Sequence, residues 1–477
     1  MACCVKAVKT CVQPMRSKLL QMVPQMCYVT AATTDEFRDA KPFTSIPGPV
    51  CFPLIGSLYT VPQLIKEKNA NDAKAVETLH RYDGKYPRRI IIQSWQDWRD
   101  ESPYARGIFI EDGSAWKRMR VLLDKQILRP QIVSGFAEQF GQVTVDFIQR
   151  LRKLRDENKN TVNNLDLELF YWSLESIGTV LYETRFGGLS EDRDPEIESF
   201  IEAVHNLFLS TNYVFYLPRK LNHLFLSKWQ KMHDNAWFVI FREGRKRIDK
   251  KCMEIEKELS EGREVSGLLS KLIASGNMSQ NELYSNISEL MAAAVDTTSN
   301  TMQWVIYELS RRSDIQSTLR DEVLSVVSRG TAPNAEQVQK MPYLKAFIKE
   351  VLRLYPVASV ETRVTNEDMV LCGYHVPKDI RVIAATYLLG RNPEYYPDPL
   401  EVKPERWIRN TGNKKVHSFA WLPFGYGTRM CIGQYKGFNM LLQEFTIKAV
   451  DDKVNSPVTR ALLIPERPVF VQFVDRC

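Results

Sequence analysis

The 477-residue chain has no run of roughly 20 apolar residues, so no segment reads as a membrane-spanning helix. Its nine cysteines form no Cys-X-X-Cys pair and its six histidines do not gather near them. That pattern speaks against a zinc site or a disulfide framework and makes a reducing compartment the simpler reading. There is no internal repeat and no low-complexity tract. Neither Gly-X-Ser-X-Gly nor His-Glu-X-X-His occurs, which removes the serine-hydrolase elbow and the zinc-protease helix. A formal net charge of +7 suits an acidic protein partner or an anionic membrane surface. No RNP, zinc-finger or basic-zipper pattern accompanies it, so nucleic acid is not indicated. Acid is missing from the start of the chain: Lys6, Lys9, Arg16 and Lys18 precede the first acidic residue, Asp35. Interrupted by Pro14 and Pro24, residues 1–40 read as a mitochondrial transit peptide or a flexible basic leader.

What is present is ordinary for a globular protein, with 44% apolar and 25% charged residues. The sequence Ile46-Pro47-Gly48-Pro49, with Pro53 and Gly56 close behind, reads as a rigid extended lead-in, because proline fixes φ and lacks a donor. From 114 to 349 most of the chain has helical periodicity, broken by polar loops such as 187–194. Shorter β-like runs lie at 368–376, 381–385 and 469–474. The expectation is a mainly α protein with small β-sheets, an α+β fold in one domain over 41–477.

One local pattern stands out, Phe424-Gly425-Tyr426-Gly427-Thr428-Arg429-Met430-Cys431-Ile432-Gly433. A metal is ligated by thiolate, not thiol, and thiolate needs donors or positive charge close by. Gly427 and Gly433 let main-chain N–H groups approach sulfur, and Arg429 suits an anionic carboxylate. A buried cysteine with no ligand is the usual fate of one such residue. The joint spacing of Phe424, Gly427, Arg429, Cys431 and Gly433 arises by chance on the order of once in 10,000 such chains.

A second pattern lies on a helix. Leu283, Ile287, Leu290, Ala294, Thr298, Met302, Val305 and Leu309 recur at steps of three and four, one face of a long helix. Across its middle runs Ala293-Ala294-Val295-Asp296-Thr297-Thr298-Ser299, and an acid followed by three hydroxyls is poor helix material. An acid beside a hydroxyl can pass protons to a buried site; a polar stripe along a wet gap has the same composition.

With these residues in place the chain resembles the cytochrome P-450 superfamily, and within it the mitochondrial branch. The likeness extends from about Ile46 to Phe473 and includes the whole Phe-X-X-Gly-X-Arg-X-Cys-X-Gly signature. It implies haem b ligated at iron by Cys431, with Phe424, Arg429 and Gly433 in the cysteine loop. It implies Asp296 and Thr297 as the proton relay for dioxygen, with Ala294 where many members have glycine. Glu350 and Arg353, three apart on a helix, and Arg406 in Pro404-Glu405-Arg406-Trp407 match the family's structural triad. Trp116 and Arg120 match its Trp-X-X-X-Arg, and Arg363 the arginine after its Glu-X-X-Arg helix; these three would hold haem propionates. Trp116 reads equally well as core. Lys345 and Lys349, four apart, match the pair that docks an acidic 2Fe-2S ferredoxin of the adrenodoxin kind. The basic residues expected after the cysteine loop are replaced by Gln434-Tyr435-Lys436.

The resemblance implies a monooxygenase using O2 and electrons from NADPH through ferredoxin reductase and ferredoxin. It would hydroxylate a lipophilic sterol, steroid, secosteroid or ecdysteroid-like substrate at the matrix side of the mitochondrial inner membrane. The aromatic and basic stretch 213–229 reads either as a surface for peripheral membrane association or as core and substrate lid. Two stretches are shorter than the family pattern, as in a truncated or splice form: roughly 40 residues are missing between His80 and Arg81, and the chain is compressed after Gly433. Loss of two strands would expose a sheet edge and remove core. Hence a rival reading: a non-catalytic haem or lipid-binding protein. A haem-thiolate isomerase or dehydratase would need neither the relay nor the docking lysines.

Overall fold

The computed structural model describes residues 26–28, 40–45, 72–127, 137–156, 158–215, 217–263, 267–408, 416–433 and 440–476. The proline-rich lead-in at 46–56, Gln434-Tyr435-Lys436 and all of the leader except 26–28 and residue 40 lie outside them. The helices, in chain order, are α1 Ala73–Arg81, α2 Gln93–Glu101, α3 Gly113–Ile127, α4 Ala137–Leu154, α5 Leu165–Leu181, α6 Pro195–Val214, α7 Arg219–Phe225, α8 Ser227–Ser260, α9 Leu268–Ser275, α10 Gln280–Ser310, α11 Ser313–Val326, α12 Ala335–Gln339, α13 Pro342–Leu354, α14 Thr386–Leu389 and α15 Met440–Glu444. The strands are β1 Met26–Tyr28, β2 Glu361–Val364, β3 Met369–Leu371, β4 Tyr374–Val376, β5 Arg381–Ala384, β6 Phe445–Ala449, β7 Pro457–Thr459, β8 Leu463–Pro465 and β9 Val471–Asp475. The fold is mainly α with small sheets, the α+β class expected from the sequence. Contacts gather it into two compact units, Met1–Ile90 with Val360–Leu400 and Lys415–Met430, and Ile91–Ser359 with Glu401–Lys414 and Cys431–Cys477.

The smaller unit centres on a three-stranded sheet, order β1-β5-β2, with β1 parallel and β2 antiparallel to β5. Beside it the β3–β4 hairpin buries Met369, Leu371 and Val376 in one cluster with Leu79 of α1 and Val382 of β5. The shortened stretch falls inside α1, which runs unbroken through His80 and Arg81 after an Asp72 N-cap. An exposed sheet edge is the sequence expectation here. Among the described residues β5 is paired on both sides, β1 and β2 are the outer strands, and β2 receives an isolated bridge from Arg88, whose carbonyl accepts Val364 N–H at 3.0 Å.

The larger unit is built around α10. A Ser279/Glu282 capping box starts it, each side chain bonding the other's backbone, which satisfies two of the N–H groups a helix start leaves open. Pro195 and Pro342 open α6 and α13 at the position where a missing N–H costs nothing. One apolar cluster joins α10 to α3, α5, α6, α8 and α9, and a second joins its C-terminal half to α4, α11, α13, β6 and β9. The stretch directly after Gly433, 434–439, lies outside the described residues; from there α15 leads into β6, which pairs with β9 from Phe445↔Asp475 to Ala449↔Val471.

Candidate functional site

Of the amphipathic helix expected around Asp296, the structure makes something more enclosed. Between Leu283 and Leu309 every residue of α10 is buried except Ala293, Ala294, Thr297, Thr298 and Thr301. At 100° per residue those five occupy one face, so the helix is packed all round and open along a single small-residue stripe. The helix is also continuous where hydroxyls were expected to weaken it. Thr297 and Thr301 donate to the carbonyls four residues back, at 2.8 Å each, and Ser299 does so to Val295 at 2.7 Å. Ser173 of α5 reaches the same Val295 carbonyl at 3.1 Å. Hydroxyls that bond back into the helix satisfy themselves without breaking it, at a slight cost in helix stability.

Asp296 lies beside this stripe but is itself only 4% exposed. Asn300 donates to its carbonyl at 2.8 Å and to its carboxylate oxygen at 3.3 Å. Burial, with no cation to offset it, pushes the carboxyl up to about 7. A group so placed can both give and take a proton near neutral pH.

In the same unit Cys431 is exposed, and Gly433 N–H points at its sulfur at 3.3 Å, the main-chain donor the motif implied. Ile432, next in the chain, packs on the apolar cluster that holds Ala292 and Val295 of α10. Trp116 and Arg120 are both buried on α3, and Arg120 Nε donates to Asp124 at 2.6 Å.

The structural triad comes together. Arg353 forms two bonds to the Glu350 carboxylate, at 2.9 and 2.7 Å, and Arg406 Nε donates to it at 3.2 Å. Two donors that sequence reasoning missed complete the shell, Lys403 N–H at 3.0 Å and the Trp407 indole at 2.9 Å. On the same helix Lys345 is half-buried and donates to the Gln339 carbonyl at 2.7 Å, while Lys349 stands over the Trp407 ring at 5.5 Å.

The remaining motif residues belong to the smaller unit. Arg363 is buried between carboxylates, donating to Asp83 at 2.8 Å and paired with Glu361 at 3.0 Å. His80, sandwiched between those two acids, bonds Asp83 and Glu361 at 3.2 and 3.0 Å. Arg429 Nε donates to the Pro87 carbonyl at 2.7 Å. Phe424 stands edge-on to Trp421, ring centroids 6.4 Å apart. The sequence carried no sign of this His80 cluster, which joins His80 and Asp83 to Glu361 and Arg363 some 280 positions away.

The donor set fits a haem-thiolate group at two points. A cysteine sulfur with a main-chain N–H donor suits a metal-bound thiolate, and a stripe of alanine and threonine on an otherwise filled helix presents the low, partly open face that a flat macrocycle would need. The arginines fit it less fully: Arg120 and Arg363 are already bound to carboxylates of this chain. Among the described residues no group of three or more His, Cys, Asp or Glu could hold a metal ion.

Comparison with known proteins places these features in a family. The family model for cytochrome P-450 matches residues 65–473. Human (Homo sapiens) mitochondrial sterol 26-hydroxylase is 33% identical over 435 residues, covering 88% of this chain and 81% of the relative. Mitochondrial 1,25-dihydroxyvitamin D(3) 24-hydroxylase from Mus musculus is 31% identical over 472 residues, covering 92% and 90%. The Mus musculus mitochondrial 25-hydroxyvitamin D-1 alpha hydroxylase is 33% identical over 450 residues, covering 90% and 86%.

Proposed function

The chain belongs to the cytochrome P-450 family as an oxidoreductase of the monooxygenase kind, and on that premise we propose that it hydroxylates a sterol or secosteroid in mitochondria with haem bound through Cys431. The substrate class and compartment follow the relatives, which are named as mitochondrial sterol and vitamin D hydroxylases. The observation that carries the reading is the open stripe of α10 beside the buried Asp296. Haem held by thiolate supplies the cleavage of the O–O bond.

This chain's residues do the rest. Cys431 offers sulfur, with Gly433 N–H helping to hold it as thiolate. Asp296, pushed up to about 7 by burial, is the proton donor, and Thr297 on the open stripe is the hydroxyl beside it. Ala293 and Ala294 keep the stripe low, so a lipophilic substrate and dioxygen fit against the helix. Glu350, Arg353 and Arg406 are structural. Trp116, Arg120, Arg363, Arg429 and Phe424 are assigned to the cofactor by family likeness alone.

Electrons come from NADPH through ferredoxin reductase and an acidic 2Fe-2S ferredoxin that docks at Lys345 and Lys349. Among the described residues no helix is long and apolar enough to cross a membrane. Leu224 and Phe225 on α7 are 71% and 69% exposed, with Lys220 and Lys228 nearby in sequence. That apolar and basic surface suits peripheral attachment to the matrix face of the inner membrane. The test is a reduced carbon-monoxide difference spectrum of the chain and of Cys431→Ala. A strongly red-shifted thiolate band, lost in the variant, is the expected result. Haem uptake without that band, or no uptake by the unaltered chain, would sink the reading.

A further inference from the structure

Three residues on one face of α10, two to three turns before Asp296, hold a segment of chain that has no regular structure, and a fourth, Glu282, pairs with the helix that follows it. Ser285 donates to the Ala105 carbonyl at 2.6 Å, and the Asn286 side-chain oxygen accepts Ile108 N–H at 3.0 Å. Glu289 accepts Phe109 N–H at 3.0 Å, and Gly107 N–H also points at its carboxylate. Glu282 pairs with Arg118, and Arg118 reaches the Asn277 carbonyl at 3.1 Å. Positions 282, 285, 286 and 289 are spaced three, one and three apart, the face-sharing pattern of a helix. The segment that Ser285, Asn286 and Glu289 grip, 105–109, leads into α3, where Glu282's partner Arg118 is flanked by Trp116 and Arg120.

Glu289 is the unusual member. It is fully enclosed, and its partner Arg99 on α2 is fully enclosed too, with Nη2 donating at 2.8 Å. The guanidinium lies over the rings of Phe241, Trp237 and Trp98 at 3.9, 4.9 and 5.2 Å. Its Nε and Nη1 meet no hydrogen-bond acceptor among the described residues. A buried ion pair this poorly compensated is a weak source of stability, and an apolar pair of the same volume is commonly as stable. What an apolar pair lacks is the acceptor for the backbone of 107–109. The fit is also close: a Cβ added at Gly107 would overlap the Glu289 carboxylate. The arrangement therefore makes sense as a device that sets position.

We infer that Glu289 is a positioning residue: it fixes the register between the helix bearing Asp296 and the helix bearing Trp116 and Arg120. The inference rests on the haem-thiolate reading, since only there do those two helices serve one cofactor. Two turns of helix, roughly 10 Å, separate Glu289 from Asp296, so it acts through the 105–109 segment and not on reacting atoms.

The test uses the haem-bound enzyme and two double variants, because removing one charge alone leaves the other buried without a partner and threatens folding. Arg99→Met/Glu289→Gln removes both charges and keeps an oxygen for the Phe109 N–H. Arg99→Met/Glu289→Leu removes the oxygen as well. Three quantities are measured on each: the thermal midpoint, hydrogen exchange of the amides at 107–109, and the rate of haem loss to an acceptor protein. The expected result is near-native exchange and haem retention with glutamine. With leucine those amides exchange far faster and haem leaves roughly tenfold to 100-fold faster, the scale of losing a residue that orients a ligand-bearing group. A difference in haem loss at equal midpoints is what a merely structural role does not produce. Equal haem loss in the two double variants would overturn the inference, as would native exchange at 107–109 with leucine in place. The carbon-monoxide spectrum of the unaltered chain is read first: absence of its thiolate band would overturn the function reading and this inference with it, whereas its presence with equal haem loss would overturn only the latter.

Discussion

At Asp296 the physical chemistry of a single carboxyl joins stability to turnover. Ionising it in the folded chain is unfavourable, because burial raises its value from the ordinary 3.8 to about 7 with no cation to compensate. The sign follows from linkage: the folded state is unburdened while the group is protonated in both states. It loses stability as pH climbs from the ordinary value to the raised one. Asp296→Asn is isosteric and cannot ionise. Its expected effects are a gain of up to about 4 kcal/mol in unfolding free energy above neutral pH and none near pH 4, read by urea unfolding at both. Substrate hydroxylation with ferredoxin should fall on the order of 100-fold, the scale of losing a positioned proton donor, while the carbon-monoxide band stays. A variant that gains no stability at alkaline pH would show that the carboxyl is not enclosed. Thr297→Val tests the neighbouring hydroxyl separately. Its back-bond to Ala293 is dispensable to a helix that its backbone already holds, so the fold and the haem band are expected to survive while oxygen use uncouples from product.

Among the elements, α13 and the 3-10 turn Pro404–Trp407 are held to each other by one buried carboxylate with five donors around it. Glu350→Ala would strand two guanidinium groups, an indole N–H and a main-chain N–H in the interior. A loss of about 3–5 kcal/mol is expected, as for breaking other buried pairs, measured by urea unfolding of the haem-bound chain; a loss below about 1 kcal/mol would place the pair at the level of surface ion pairs. The Glu350–Arg353 half of this cluster was legible in the sequence, because three-residue spacing on a helix fixes a shared face. So were the helical stretches and the β3, β4, β5 and β9 runs, which follow from periodicity. The Arg99–Glu289 pair was not, since 190 positions separate its members and one sequence does not say which acid meets which arginine. The open stripe was not separable from its neighbours for a different reason. Ala294 and Thr298 continue the apolar spacing of α10, and periodicity treats a face turned to a cavity and a face turned to core alike. The His80 cluster escaped because it joins a residue at the shortened stretch to β2, a pairing that no family pattern anticipates.

Over the whole molecule, the buried ionisable groups set opposite limbs of a pH profile. Burial works against a charged His80, yet hydrogen bonds to Asp83 and Glu361 outweigh it and hold its value above the ordinary 6.5. The stabilisation this cation brings is complete below its unfolded value and disappears as pH rises through the folded one. Asp296, Glu289 and Glu308 are carboxyls raised chiefly by burial, so they too subtract stability as pH rises. Glu361 runs the other way. Burial alone would raise it, but His80 and Arg363 pull it below its ordinary value, so its contribution is present above about pH 4.5 and lost in acid. The chain is therefore expected to be most stable near about pH 5 and to weaken steadily toward pH 8. Thermal midpoints at about pH 4, 5, 6, 7 and 8 check this on the unaltered chain, Asp296→Asn and His80→Gln. The first variant should flatten the fall between about pH 5 and 7, and the second the fall above about pH 6.5. These are separable because the groups belong to different compact units. A chain whose midpoint rises from about pH 5 to 8 would mean that neither Asp296 nor His80 is enclosed, and with Asp296 would go the proton donor on which the hydroxylase reading depends.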